Sequence, residues 1–193
     1  MEEEVSLLKA DSTLICLLDA WFNLPLIQQL AEKKVRSFAL EFIPRSTRAQ
    51  SMDVLSSMGA ISGYRSVLSG AMELPQYFPM LMTAAGTIHP AKVFIVGAGV
   101  AGLMAISTAR RLGAVVEAYD TRADVREQVE SLGAKFVEFD LPQEEGGAAG
   151  GYATEKSEEF YKMQREQMQA KVAQADLVIT TAAIPGKMSP RLI

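Results

Sequence analysis

The stretch Val93-Phe94-Ile95-Val96-Gly97-Ala98-Gly99-Val100-Ala101-Gly102 decides the fold. Four consecutive apolar residues read as a strand buried on both faces. The glycines that follow stand in the spacing Gly-x-Gly-x-x-Gly and open an apolar-periodic segment from about Val100 to Leu112, which predicts a helix. In this spacing the first glycine permits a tight turn, the second lets a ligand approach the backbone, and the third lets the helix pack on the strand. A second apolar run, Val115 to Tyr119, ends at Asp120, about 18 residues beyond Gly102.

A helix opened in this way aims unpaired N–H groups at an anion. A carboxylate at the end of the next strand can accept hydrogen bonds from both hydroxyls of a ribose. The constellation therefore predicts a bound dinucleotide, with Asp120 favouring NAD(H) over NADP(H) because a 2′-phosphate would meet like charge. Arg122 is of the residue type that accepts a 2′-phosphate, but it lies beside that carboxylate. Asp120 also suits a simpler role as cap of a helix starting near Asp124, and the residues alone allow both.

Outward from the motif the alternation is regular. A helix is predicted from Asp124 to Leu132, a strand from Phe136 to Phe139, a polar helix from Ser157 to Ala173 and a strand from Leu177 to Thr181. Between them, Leu141 to Thr154 carries Gly146, Gly147, Gly150 and Gly151, a mobile loop that is either a plain linker or a functional lid. Upstream, Leu14 to Leu18 and Val35 to Leu40 read as strands flanking a helix that carries Leu26, Ile27, Leu30 and Ala31. Gln50 to Met72 reads as one long helix or a broken pair, and Pro75 to Pro90 as irregular chain. The expected fold class is α/β: a doubly wound parallel Rossmann-type sheet, incomplete, over residues 91–193, and part of a second α/β lobe over residues 1–90.

Composition narrows the function. Of 193 residues 49% are hydrophobic and 22% charged, with a formal net charge of -4, so a basic face for nucleic acid is not expected. Cys16 is the single cysteine, which leaves no disulfide framework and no thiolate metal cluster and favours a reducing compartment. No metal site is expected, and His89, beside Pro90, has no partner motif. Met1-Glu2-Glu3-Glu4 lacks the basic start of an export signal. Leu14 to Leu26 is interrupted by Asp19, Asn23 and Pro25 and is shorter than the roughly 20 apolar residues of a membrane helix, so no direct membrane span is expected. The segment Arg45-Ser46-Thr47-Arg48-Ala49-Gln50, followed by Asp53, Ser56 and Ser57, is either a polar site or a solvated helix start.

Together these phrases resemble the NAD(H)-binding component, domain I of the alpha subunit, of proton-translocating NAD(P) transhydrogenase, in the alanine dehydrogenase/transhydrogenase family. The resemblance is carried by Ile43-Pro44-Arg45, Arg48-Ala49-Gln50-Ser51-Met52-Asp53, Ser56-Ser57, Gly63-Tyr64, Met82-Thr83-Ala84-Ala85-Gly86-Thr87, the glycine motif, Gly113-Ala114, Asp120-Thr121-Arg122, Glu127-Gln128-Val129, Gly150-Gly151-Tyr152-Ala153 and Ile184-Pro185-Gly186-Lys187. It spans nearly the whole chain.

The resemblance implies a two-lobed protein that holds NAD(H) beside an NADP(H)-binding partner domain, with hydride passing between the nicotinamides and a membrane domain coupling this to proton translocation. Arg45, Gln50, Asp53 and Ser56 would surround the nicotinamide, and Tyr152 would ride a loop that closes on the nucleotide. Ser46, Thr47, Arg48, Gly97, Gly99, Val100, Gly102, Asp120, Thr121, Arg122, Gly151, Gln164 and Ala183 would complete the cofactor contacts. A homodimer is implied, at the cytoplasmic face of the inner membrane in a bacterium or on the matrix side in a mitochondrion. Family members carry further segments before Met1 and after Ile193, so the chain is expected to be truncated at both ends. The alternatives are a nucleotide-binding remnant without turnover and an alanine dehydrogenase-like oxidoreductase. The latter needs protein groups to move protons, and no candidate Lys and His pair is present.

Overall fold

The computed structural model describes residues 2–141, 157–183, 189 and 192–193. They divide into two compact units, Met1–Ser57 and Met58–Ile193.

In the first unit α1 (Glu2–Leu7) precedes β1 (Thr13–Cys16), α2 (Leu24–Glu32) and β2 (Arg36–Ala39). The two strands pair in parallel, with Thr13 opposite Arg36 and Cys16 opposite Ala39, as the strand-helix-strand pattern predicts. Pro25 sits in the first turn of α2, where its missing N–H costs nothing. Leu26 and Leu30, one turn apart, bury the inner face of α2 with Val5, Leu18 and Val35. Two 3-10 turns, Leu40–Phe42 and Thr47–Met52, lead to α3 (Val54–Glu73), a single helix that runs from the first unit into the second.

The sequence places the change of domain near Ala91, whereas the compact units meet between Ser57 and Met58. The reason is the packing of α3: Val67, Ala71 and Leu74, with Phe78 just beyond, belong to the core of the second unit. At Gly63 a Cβ atom would stand 2.0 Å from the Ala101 carbonyl oxygen, so glycine is what allows the two helix backbones to touch there. Pro75 to Pro90 is also not wholly irregular. It contains a hairpin of β3 (Leu81–Thr83) and β4 (Gly86–Ile88), closed by the Thr83 hydroxyl, which donates to the Gly86 carbonyl at 3.1 Å and accepts from the Ala85 N–H at 3.2 Å. Three-residue strands without an Asn-Gly or Asp-Gly turn give almost no sequence signal.

The second unit is built on β5 (Lys92–Val96), α4 (Val100–Arg111), β6 (Val115–Tyr119), α5 (Arg126–Ser131), β7 (Lys135–Phe136), α6 (Glu158–Val172) and β8 (Leu177–Thr180). The strand predicted to reach Phe139 pairs only over Lys135–Phe136, with one further hydrogen bond from the Val137 N–H to the Ala118 carbonyl at 2.8 Å. All four strands are parallel, in the order β7-β6-β5-β8. This matches the first four strands of a doubly wound sheet, third-second-first-fourth, with the switch point between β5 and β8. Period-2 alternation covers both faces. Val93 and Ile95 face a core with Ala105, Ile106, Ala109 and Val129, while Phe94 and Val96 face another with Tyr119, Val137 and Met168. Burying side chains such as Phe94 and Ile95 contributes about 1.5–3 kcal/mol each.

Candidate dinucleotide site

The glycine turn lies at the carboxyl end of β5, at the switch point, where open α/β sheets bind their ligands. Gly97 adopts φ +98°, and its N–H donates to the Tyr119 carbonyl at 2.8 Å. A Cβ there would lie 2.7 Å from the Thr181 hydroxyl, and one on Gly102 would lie 1.8 Å from the Gly97 carbonyl oxygen. Those two glycines are required by the protein itself. Gly99 differs: a Cβ there meets nothing within 4 Å. It is the N-cap of α4 and has no side chain to cap it. The turn thus leaves space in front of the helix N-terminus, where first-turn N–H groups and the helix dipole favour an anion.

Asp120 follows β6 directly, and its carboxylate is held from several sides. Oδ2 accepts from the Ala98 N–H at 2.7 Å and from Arg122 Nη2 at 3.0 Å; Oδ1 accepts from the Arg122 N–H at 2.9 Å and from Arg122 Nε at 3.0 Å. Burial alone would raise this carboxyl, but the hydrogen bonds from Arg122 and Ala98 outweigh it and hold its pKa below the ordinary carboxylate value. Asp120 therefore ties the turn at Ala98 to the end of β6 and keeps its charge, which is more than the capping role requires. Of the other expected contacts, Val100, Thr121 and Ala183 are exposed, and Gln164 is buried at 1% exposure. Gly151 and Tyr152 lie outside the described residues, as do Gly150 and Ile184-Pro185-Gly186-Lys187.

In the first unit the structure joins three of the expected residues. Asp53 receives the Ser56 N–H at 2.9 Å and the Ser56 hydroxyl at 2.7 Å, so it caps α3, and Arg45 Nε stands 3.7 Å from its carboxylate. The Ser56 hydroxyl is the largest influence lowering the Asp53 pKa, and Arg45 adds to it. Ser46, Thr47, Arg48 and Gln50 are exposed on and beside the 3-10 turn that precedes the cap.

Some residues that shape the sites carry no motif. Thr181 donates its hydroxyl to the Gly97 carbonyl at 3.0 Å and ties the end of β8 to the glycine turn. Glu41 accepts from the backbone N–H groups of Leu18 and Ala20 at 3.2 and 3.1 Å, fixing the loop after β1. Tyr119 accepts from Gln164 Nε2 at 2.9 Å, and burial pushes its hydroxyl up to about 12, so it stays protonated at neutral pH. Each contact spans a sequence separation that local patterns do not register. Among the described residues no group of carboxylates, His and Cys could hold a metal ion.

Comparison with known proteins places this geometry. Residues 66–193 match the family model "Alanine dehydrogenase/PNT, C-terminal domain", and residues 1–62 match "Alanine dehydrogenase/PNT, N-terminal domain". The chain is 51% identical over 192 residues to an NAD(P) transhydrogenase alpha-subunit polypeptide of Rhodospirillum rubrum, a match that covers 99% of this chain and 50% of that protein. Among solved structures it resembles transhydrogenase from Sinorhizobium meliloti, with TM-score 0.86 and 44% identity over 100% of this chain and 51% of that one. It also resembles an L-alanine dehydrogenase, with TM-score 0.71 and 25% identity over 100% of this chain and 48% of that one. The chain thus spans about half the length of the relatives it matches. With both halves matched in order, the chain belongs to the alanine dehydrogenase/PNT family.

Proposed function

We propose that this chain is the NAD(H)-binding part of an NAD(P) transhydrogenase. The observation that carries this reading is the pairing of an open glycine turn at Gly99 with a charged, multiply held Asp120 at the switch point of a parallel sheet. The residues fit a dinucleotide. The N-terminal end of α4, with Gly97, Gly99 and Val100, would receive the pyrophosphate, and Asp120, with Thr121 and Arg122, the adenosine ribose. The likeness to the Rhodospirillum rubrum subunit and the Sinorhizobium meliloti transhydrogenase favours this over an alanine dehydrogenase activity.

A bound nicotinamide would supply hydride chemistry, and this chain's residues would hold it facing the nicotinamide of an NADP(H)-binding partner. With a nicotinamide as both donor and acceptor, the protein needs no acid-base pair; it orients and excludes water. Arg45, Gln50, Asp53 and Ser56 are assigned to the nicotinamide, Ser46, Thr47, Arg48, Gly151, Gln164 and Ala183 to further cofactor contacts, and Tyr152 to closure over the nucleotide. None of the described helices is long and apolar enough to cross a membrane. In this reading, coupling to proton movement would run through a membrane partner. The chain would act as a homodimer beside that partner, on the cytoplasmic face in a bacterium or the matrix side in a mitochondrion.

The test is reconstitution with the NADP(H)-binding and membrane partners. The reading predicts hydride transfer between NADH and an NADP+ analogue that depends on this chain. NADH binding without transfer would leave a nucleotide-binding remnant, and alanine-dependent NADH formation by the chain alone would favour the dehydrogenase.

A further inference from the structure

We infer that Tyr119 is a positioning residue of the proposed dinucleotide site: its hydroxyl fixes the Gln164 amide so that one end of that amide is reserved for a hydrogen-bond donor on the bound nucleotide. The inference rests on the dinucleotide reading above.

Three contacts make Tyr119 a junction. Its carbonyl accepts from the Gly97 N–H, its peptide leads directly into Asp120, and its hydroxyl meets Gln164 Nε2 at 2.9 Å on α6. The ring is 4% exposed and lies tilted against Phe139 at 4.4 Å, so its direction is set by packing.

Gln164 stands out against these surroundings. It is 1% exposed beside a core of Phe94, Val96, Val137 and Met168, where a leucine or methionine would avoid the cost of burying an amide. Other hydrogen bonds also dock α6. Lys171 donates to Glu117 at 2.7 Å, and Gln167 exchanges two hydrogen bonds with the backbone of Asp140 at 2.9 and 2.7 Å. Yet Gln164 Oε1 is buried with no hydrogen-bond partner among the described residues. A buried amide satisfied at one end and unsatisfied at the other is costly unless something completes it. An amide oxygen can only accept, so the completing group donates, as ribose hydroxyls and the adenine amine do.

The experiment measures NADH affinity by calorimetry and melting temperature for the full chain and three variants: Tyr119→Phe, Gln164→Met and the double variant. Tyr119→Phe should weaken NADH binding roughly three- to tenfold, the scale of one buried hydrogen bond. Gln164→Met should weaken it by at least as much. In the double variant the apolar pair removes the unsatisfied amide, so the melting temperature should rise above that of Tyr119→Phe while affinity stays at the Gln164→Met level.

A purely structural role predicts that binding recovers together with stability in the double variant, and that result overturns the inference. So does undiminished binding by Tyr119→Phe, or losses that simply multiply. If the unsubstituted chain does not bind NADH at all, the dinucleotide reading itself fails, and the inference with it.

Discussion

The Arg122 guanidinium lies along the edge of the Asp120 carboxylate, with Nε and Nη2 each 3.0 Å from a different oxygen. The side chains are only 15% and 7% exposed, so the pair is largely shielded from solvent. Sequence alone sets these residues against each other, one favouring a free ribose and the other a 2′-phosphate. The structure makes them a unit in which arginine holds the carboxylate in place and offsets part of its charge.

That arrangement leaves a direct expectation for nucleotide choice. A ribose hydroxyl can replace a guanidinium N–H as donor to Asp120, whereas a 2′-phosphate brings charge against the carboxylate. NADH should therefore bind more tightly than NADPH. Asp120→Asn should weaken NADH binding roughly tenfold and narrow the gap to NADPH, because it removes the repelling charge and leaves Arg122 to meet the phosphate. Calorimetry with both nucleotides decides it, and equal affinities in the unsubstituted chain would contradict the assignment.

Acid stability carries the same signature. The folded pKa of Asp120 is depressed, so its contribution is present above the unfolded carboxylate value of about 3.9 and is lost as pH falls through the lower, folded value. Asp53, Glu41 and Glu117 are depressed as well and add to the same limb. Melting temperature should thus fall steeply below about pH 4 and change little from about pH 5 to about pH 7. The Asp120→Asn variant should start lower at about pH 6 and fall less steeply in acid.

The two glycines flanking Val100 and Ala101 should separate folding from binding. At Gly102 a methyl group would press into the Gly97 carbonyl, and backbone has to move. Gly102→Ala should cost roughly 2–4 kcal/mol of stability and lose nucleotide binding with it. At Gly99 a methyl group meets only open space, so Gly99→Ala should stay within about 1 kcal/mol of the parent. Its loss should appear in NADH affinity, since the methyl group fills the space in front of the helix N-terminus. Thermal melts paired with titrations would show whether the two positions part in this way.

What the sequence made legible was local. The strand Val93–Val96, the helix opening at Val100 and Asp120 at the end of the next strand are read from spacing, and each element forms within a residue or two of where the pattern puts it. The parallel order follows from the alternation of strands and helices. Contacts between distant residues were not legible. The glycine face of α3 looks like an ordinary small-residue helix until Gly63 meets Ala101, and this hides the helix's allegiance to the second unit. The hairpin at Leu81–Ile88 lacks a turn signal, and Gln164 reads as one polar residue of a polar helix, 45 positions from its tyrosine. Family resemblance alone marks Gln164 in the sequence, and the burial of its amide gains a physical reason only from Tyr119 and the unpaired oxygen taken together.

The last expectation separates two roles of Asp53. Its hydrogen bonds to the N–H and hydroxyl of Ser56 are those of a helix cap, and Arg45 beside it is as much a neighbour of a cap as a member of a site. Asparagine caps a helix about as well as aspartate, while alanine does not. Asp53→Ala should therefore lose about 1 kcal/mol of stability, and Asp53→Asn only a few tenths. If Asp53 also acts at the nicotinamide, the asparagine variant will keep its melting temperature, yet its hydride transfer with the reconstituted partners will drop roughly tenfold or more, because the charge facing Arg45 is gone. A variant that melts like the parent and transfers hydride at the parent rate would confine Asp53 to capping α3. The assignment of the first unit's polar residues to the nicotinamide would then rest on Arg45, Gln50 and Ser56.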